Sequence, residues 1–313
     1  MKTSPHYRST PRRFRRTTLL IVGCGDVGRR LALQLRARHP ADRLRVVGTA
    51  RSDAQVQALR AVGIVPLRAD LDNRRSLRRL APLARWMVDL APPPNAGPTD
   101  PRTTRLIAAA ASRADSGRRW VYISTTGVYG DCAGAQFDET RPVAPSTDRA
   151  RRRVDAERRL RAAVTHGVAN ATILRVPGIY DSGERLPVER LKKGLPALRS
   201  QDDVFTNHIH AEDLAAIAWA AVFRGRPSRI IHAVDDTDLK MGDYFDCVAD
   251  ALALPRPPRV SREALAAMVS PVMLTFMSES RRLANARLKR ELRAKLRFPT
   301  VADTLATIGK SLL

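Results

Sequence analysis

Four aliphatic residues, Leu19-Leu20-Ile21-Val22, run directly into Gly23-Cys24-Gly25-Asp26-Val27-Gly28. No other feature constrains the fold as tightly. A short aliphatic run that ends in glycines reads as a strand followed by a sharp turn. The residues beyond it have helical period, with Val27, Leu31 and Leu35 at i, i+4 and i+8. A G-x-G-x-x-G spacing at a strand-to-helix junction is the pyrophosphate fingerprint of a dinucleotide site. Gly23 permits the tight turn, Gly25 lets the backbone approach a pyrophosphate, and Gly28 lets the helix pack closely on the strand. The helix N-terminus then offers unpaired N–H groups to the phosphates. Cys24, Asp26 and Val27 complete the loop as candidate cofactor contacts.

The chain continues in the same alternation. Strands are expected at residues 18–22, 45–48, 64–67, 86–90, 120–124 and 171–176, with helical patterns between them. That order predicts an α/β fold, a Rossmann-type doubly wound parallel sheet. A rigid loop, Ala91-Pro92-Pro93-Pro94-Asn95-Ala96-Gly97-Pro98, precedes a helix expected at residues 102–114. After Val176 the pattern breaks until about residue 209. A helix at 211–223, a strand at 229–233 and a helix at 241–252 follow. Pro255-Arg256-Pro257-Pro258 then links to a helical tail, whose last helix opens on a capping box at Thr300-Val301-Ala302-Asp303. The expected division is a disordered basic tail or over-extended start (1–16), a Rossmann domain (17–180) and a smaller, mostly helical substrate region (181–313), with late elements packing back on the sheet. No internal repeat is present.

The formal net charge is +24, and 48 of the 55 basic residues are arginine. They are spread along the chain rather than gathered in a stripe, with no zinc-finger spacing or aromatic interleaving. Ordinary surface helices account for them better than a nucleic-acid interface does, and attraction of anionic small molecules is the other use. Cys24, Cys132 and Cys247 are odd in number and far apart, which fits a reducing compartment and no metal site. No apolar run approaches a membrane span, so a cytoplasmic protein is expected.

Cofactor choice turns on the end of the second strand. NAD sites place a carboxylate there to hold the ribose 2′-hydroxyl. Here the stretch is Gly48-Thr49-Ala50-Arg51, with no carboxylate before Asp53. Arg51 instead suits a 2′-phosphate, so NADP is favoured, with NAD possible. Asp70 and Leu71 after the third strand are placed beside the adenine. Leu90, Ala91 and Pro92 after the fourth, and Pro177 after the sixth, are expected to line the dinucleotide.

Five further segments carry a resemblance. They are Ser124-Thr125-Thr126-Gly127-Val128-Tyr129-Gly130, Asp138-Glu139-Thr140-Arg141-Pro142, Arg175-Val176-Pro177-Gly178-Ile179-Tyr180, Asn207-His208-Ile209-His210-Ala211-Glu212-Asp213-Leu214-Ala215 and Arg281-Arg282-Leu283-Ala284-Asn285. In this order they resemble the extended short-chain dehydrogenase/reductases, the sugar-nucleotide epimerase/dehydratase group, and within it an atypical bacterial branch. The resemblance implies that Thr125 matches the catalytic Ser/Thr. It also implies that a Tyr-x-x-x-Lys pair should follow the fifth strand, the tyrosine as acid/base and the lysine on the nicotinamide ribose.

That pair is missing. Alignment on Glu157 puts Arg149 and Arg153 at the two positions, and no tyrosine anywhere is followed four residues later by lysine. An arginine stays protonated and is a poor acid/base. Arg153 is left to hold ribose hydroxyls. Tyr129 and Tyr180 flank the expected cleft as substitute acids or packing residues. Arg185 and Arg282 are candidate contacts for an anionic substrate, with His208 and His210 beside them. The two histidines are read as diverging about Ile209, which argues against a shared metal. His210 with Asp213 also fits a helix cap. The resemblance thus implies an NAD(P)-binding, epimerase/dehydratase-like oxidoreductase acting on a nucleotide sugar or related small carbohydrate with non-standard acid/base residues. Loss of the pair leaves open a non-catalytic NADP(H)-binding sensor or scaffold. Family members pair through the helices after strands four and five. Here the arginine run 149–153 would oppose itself across such a two-fold, so the expectation is a monomer or homodimer.

Overall fold

A computed structural model of the chain describes residues 17–38, 43–77, 80, 85–111, 117–269 and 271–311. The basic tail expected at 1–16 and the end of the helix expected at 102–114 lie outside the described residues.

Seven parallel strands form the central sheet. They are β1 (Thr17–Val22), β2 (Leu44–Ala50), β3 (Val65–Arg68), β4 (Trp86–Asp89), β5 (Arg119–Thr125), β6 (Asn170–Val176) and β7 (Ile230–His232), in the spatial order β7-β6-β5-β4-β1-β2-β3. β1 pairs with β2 on one side, Leu19 opposite Val46, and with β4 on the other, Leu19 opposite Trp86. Strand order reverses there, which opens the crevice where ligands bind such sheets.

The helices α1 (Asp26–Arg38), α2 (Asp53–Ala61), α3 (Pro101–Ala111), α4 (Asp148–Thr165) and α5 (Ala211–Arg224) cover the two faces. Successive residues of a strand point to opposite faces, and β1 shows it. Leu19 and Ile21 enter a core built with Leu31 and Leu35 of α1 and Leu214 and Ile217 of α5. Leu20 and Val22 enter the other, with Leu106 of α3 and Leu160 of α4. A strand buried on both faces needs the continuous aliphatic run that the sequence has.

Local chemistry sets the helix starts. Pro101 occupies the first position of α3, where its missing N–H costs nothing, and the Asp100 carboxylate accepts from the Arg102 and Thr103 N–H groups at 3.0 and 3.3 Å. α3 therefore begins one residue before its expected start. Thr147 caps α4 by accepting from Ala150 N–H.

The chain returns to the sheet after residue 180. α5 lies against α1, and β7 pairs with β6, Ile231 opposite Leu174. Between and beyond these, Tyr180, Leu186, Leu198, Tyr244, Val248 and Leu305 form a separate apolar core. It includes α6 (Met241–Ala251) and α7 (Val301–Ser311). The capping box on α7 is formed: Asp303 N–H donates to Thr300 Oγ1, and Thr300 N–H to Asp303 Oδ2. The stretch expected to be broken contains strand pairs of two or three residues, among them Gly178–Tyr180 with His208–His210. Elements that short leave no periodicity to read.

Candidate cofactor and active site

The glycine loop closes where β1 ends. Gly23 has φ +71°, and a Cβ there would sit 2.6 Å from the backbone N and Cα of Ala91. Only glycine fits that combination. The Gly23 N–H donates to Thr49 Oγ1 at 2.9 Å and Gly25 N–H to Gly23 O at 2.8 Å. A Cβ on Gly25 would meet nothing nearer than 4.0 Å, so its outer side is open. A Cβ on Gly28 would touch Cys24 Sγ, Ile21 Cγ2 and Leu90 Cδ1 at 3.0–3.2 Å. Gly28 is therefore the close-packing glycine between helix and sheet. The Val27 side chain is in the core. Burial pushes the Cys24 thiol up to about 12, which leaves it unreactive.

A cavity of about 220 Å³ opens in front of this loop. Gly23, Gly25, Thr49, Arg51 and Gln55 line it, together with Asp70, Leu71, Ala91, Pro92 and Arg102. Arg51 is exposed, and among the described residues its guanidinium makes no hydrogen bond or ion pair, though its charge reaches Asp72. Asp53, the first carboxylate after β2, is ion-paired with Arg68. Arg102 was not foreseen as a wall residue. It grips Asp72 through Nε at 3.0 Å and Nη2 at 2.5 Å, and its Nη1 donates to Pro92 O. The Asp72 carboxyl is held low chiefly by that hydrogen bond.

Asp26 sits in the first turn of α1 but faces arginines. Arg30 Nε donates to both its oxygens at 3.0 Å, and Arg185 Nε reaches it at 3.2 Å. Arg30 also binds Asp181 and Glu212, at 2.8 and 2.9 Å. Arg185 thus stands beside the glycine loop.

The far half of the crevice is organised by Arg153. Its Nη1 donates to Tyr122 Oη and Ile123 O at 2.9 Å and to Ala91 O at 3.3 Å. It braces the ends of β4 and β5. Behind it lies Asp89, 1% exposed, accepting from Ala91 N–H. Burial pushes Asp89 up to about 7, although Ala91 N–H and Arg153 oppose this. Burial also raises Tyr122. Arg149 stands one turn before Arg153. Burial, with the charges of Arg153 and Arg152, holds its guanidinium below its ordinary value. Thr125, half-buried, accepts from Gly127 N–H at 3.2 Å and so caps the short turn of Thr126–Tyr129. Among the described residues no acceptor takes its own O–H proton. Pro177 is half-buried at the exit of β6.

Tyr129, read as a substitute acid or a packing residue, packs in the core. It is 1% exposed, and its hydroxyl accepts from Arg175 Nη1 at 2.6 Å and pairs with His232 Nε2 at 2.6 Å. His232 Nδ1 faces Ala284 O at 3.0 Å. A carbonyl only accepts, so the His232 proton is on Nδ1 and Tyr129 donates to Nε2. Burial keeps this imidazole neutral by pushing it down to about 3. Arg175 holds Glu157 with two bonds, 2.7 and 3.2 Å, and Ser124 Oγ donates to Glu157 Oε1. Burial, the largest cause, pushes the Tyr129 phenol up to about 12 despite Arg175.

Tyr180, His208 and His210 are buried, at 1%, 5% and 2% exposed. The two histidine rings both contact the Tyr180 ring edge-on, with centroids at 6.1 and 5.3 Å. They lie on one face, as residues two apart in a strand must, and not on diverging faces. His210 Nδ1 accepts from Glu212 N–H and caps α5. Asp213 instead accepts from the Arg297 and Phe298 N–H groups. Burial pushes both imidazoles down to about 4. Arg282 is paired with Asp238 and stacked on Phe205. Among the described residues no three His, Cys, Asp or Glu side chains converge as a metal site, and no helix is long and apolar enough to cross a membrane.

The model of the NAD dependent epimerase/dehydratase family matches residues 19–232, from the first residues of β1 to the end of β7. The chain belongs to that family. No curated protein matches it. A conserved protein of unknown function from Silicibacter pomeroyi is 29% identical, with a TM-score of 0.77 over 95% of this chain and 99% of the other. DesIV, a dTDP-glucose 4,6-dehydratase from Streptomyces venezuelae with NAD and TYD bound, is 20% identical, with a TM-score of 0.76 over 94% and 96%. UDP-glucuronic acid 4-epimerase from Bacillus cereus, in complex with NAD, is 15% identical, with a TM-score of 0.72 over 95% and 99%. The last two share the fold.

A nicotinamide dinucleotide is the cofactor of this epimerase/dehydratase family, and the residues present fit one. The unfilled space over Gly25, the start of α1 and the cavity toward Arg51 form a continuous cradle. The residues that sequence reasoning missed fall in two groups. Thr49, Gln55 and Arg102 reach the cavity from positions with no motif. Asp89 had a signal, a carboxylate ending an otherwise apolar inner strand, and such residues are rarely buried without a reason.

Proposed function

We propose that this chain is an NADP-dependent, epimerase/dehydratase-like oxidoreductase whose substrate is a nucleotide sugar or related anionic carbohydrate and whose proton transfer uses no tyrosine. The carrying observation is the adenosine end of the cavity. Its cation, Arg51, makes no side-chain hydrogen bond or ion pair among the described residues; Asp53, the first carboxylate after β2, is spent on Arg68, and Asp72, whose charge Arg51 feels, is gripped by Arg102. A 2′-phosphate fits that arrangement, because the guanidinium can take it through two parallel hydrogen bonds.

When bound, the cofactor supplies the hydride acceptor or donor. Thr125 positions a substrate oxygen through its free O–H. Arg153 has one nitrogen committed to the strand ends, and its remaining N–H groups point the reading toward ribose hydroxyls. With Arg149 it puts two cations on one helix face, four residues apart. They favour an oxyanion on the substrate by charge, so that a hydroxyl proton leaves to water. Arg185 beside Asp26 supports the phosphate end.

Calorimetry with NADP, NADPH, NAD and NADH, followed by turnover assays over a nucleotide-sugar panel, tests this. The expected result is about tenfold or greater preference for the phosphorylated cofactor, with slow isomerisation or cofactor turnover. Equal affinity for NAD overturns the cofactor assignment. Tight NADP binding with no turnover across the panel overturns the reaction and favours an NADP(H) sensor. One observation supports that second reading: the four described tyrosines, Tyr122, Tyr129, Tyr180 and Tyr244, are all buried.

A further inference from the structure

A second cavity, about 550 Å³, is remote from the glycine loop. It lies between the end of α1, the second half of α5 and residues 293–295. α1 has thirteen residues, so Arg38 at its end lies about 18 Å along the helix from Asp26. Trp86, whose ring meets Trp219 and Phe223 edge-on at 5.6 and 4.8 Å, starts β4, and the cofactor crevice is at the opposite ends of the strands. The volume is in the range of small-molecule sites, roughly 300–1,000 Å³.

Its wall has two chemistries. Ile217, Trp219, Ala220 and Phe223 of α5, with Ala294, make an apolar surface. Phe223 is 43% exposed, unusual for so large an apolar ring. Around it stand Arg38, Arg224, Arg293 and Lys295. Arg224 spends one N–H on Leu292 O. Arg38, Arg293 and Lys295 are exposed and make no hydrogen bond or ion pair among the described residues. The single carboxylate of the wall, Asp213, is buried and already holds two backbone N–H groups. An apolar floor ringed by uncompensated cations complements a molecule with an apolar body and an anionic head.

The geometry points to a second ligand site here, for an acyl carboxylate whose chain lies on Trp219 and Phe223 and whose head group meets Arg293 and Lys295. This site is independent of the cofactor and of the reaction proposed above.

The test uses the purified full chain. Octanoate, decanoate and decanol are titrated while tryptophan fluorescence is followed, since Trp86 and Trp219 adjoin the cavity. Saturable one-to-one binding of decanoate is expected, about tenfold tighter than octanoate because two more methylenes are buried, and clearly tighter than decanol. Arg293→Glu/Lys295→Glu should weaken decanoate at least tenfold. Arg158→Glu/Arg161→Glu, at exposed positions of α4, changes the net charge equally and should leave it unchanged. NADP affinity, measured on every variant, reports the fold. Non-saturating binding, no dependence on chain length, equal binding of decanol, or equal loss in both double variants would each overturn the proposal.

Discussion

The two halves of the crevice differ in how they use polar groups. On the β1–β3 side, polar groups face space. Gly25 is open, Arg51 makes no side-chain hydrogen bond or ion pair among the described residues, and a cavity stands before them. On the β4–β6 side, polar groups face one another. Arg153 braces three acceptors, and Glu157, Arg175, Tyr129 and His232 form one buried chain. The first half is built to receive a ligand. The second is built to be rigid. The tyrosines among the described residues, Tyr122, Tyr129, Tyr180 and Tyr244, are all in the core.

The comparison can be broken most sharply at Glu157. Glu157→Ala leaves Arg175 buried without its partner, and unfolding by denaturant should show a loss of about 3–5 kcal/mol. Cofactor affinity of the folded fraction should not change. A parallel loss of NADP affinity would mean that the two halves are coupled.

Asp89 gives the next effect, and it depends on pH. The folded state holds its proton up to about pH 7, while an unfolded aspartate releases it near 4. Between those values the folded state carries the extra proton, so this residue lowers stability as pH rises from 4 to 7 and continues to cost above it. Asp89→Asn should therefore gain up to roughly 4 kcal/mol over the native chain at pH 8, and little at pH 4. His208, His210 and His232 act with the opposite sign, losing stability as pH falls from about 6.5 toward their folded values of about 4, 4 and 3. They are common to both proteins and cancel in the difference. Thermal melts across pH check it, and a constant difference would refute it.

Tyr129→Phe is milder. It removes one hydroxyl from between Arg175 and His232 and leaves both short of a partner. About 1–3 kcal/mol of stability should go, with no change in any turnover. A selective fall in kcat would restore Tyr129 to the chemistry. Arg51→Ala should be smallest in stability, within about 0.5 kcal/mol as for most surface changes. It should nevertheless weaken NADP about tenfold while leaving NAD alone.

The centre of the sheet was readable because β1, β4, β5 and β6 are inner strands. A strand buried on both faces is mostly apolar, so β1, β4, β5 and β6 announced themselves within two residues of their ends. The glycine loop was readable because backbone geometry restricts residue type at Gly23 and Gly28. The short pairs such as Gly178–Tyr180 with His208–His210 were not, since three residues carry no period. His208 and His210 drew attention by residue type, and the fold buries both against Tyr180.

By itself, the sequence determined the doubly wound sheet, the glycine turn and the absence of a Tyr-x-x-x-Lys pair, because each depends on residues near one another in the chain. The tertiary structure decided which polar groups are free. Arg51 and Arg153 are the same residue type, yet one faces an open cavity and the other is drawn onto Ala91, Tyr122 and Ile123. That difference comes from partners 30 to 62 positions away in the chain, which only the packing of β4, β5 and α4 brings together.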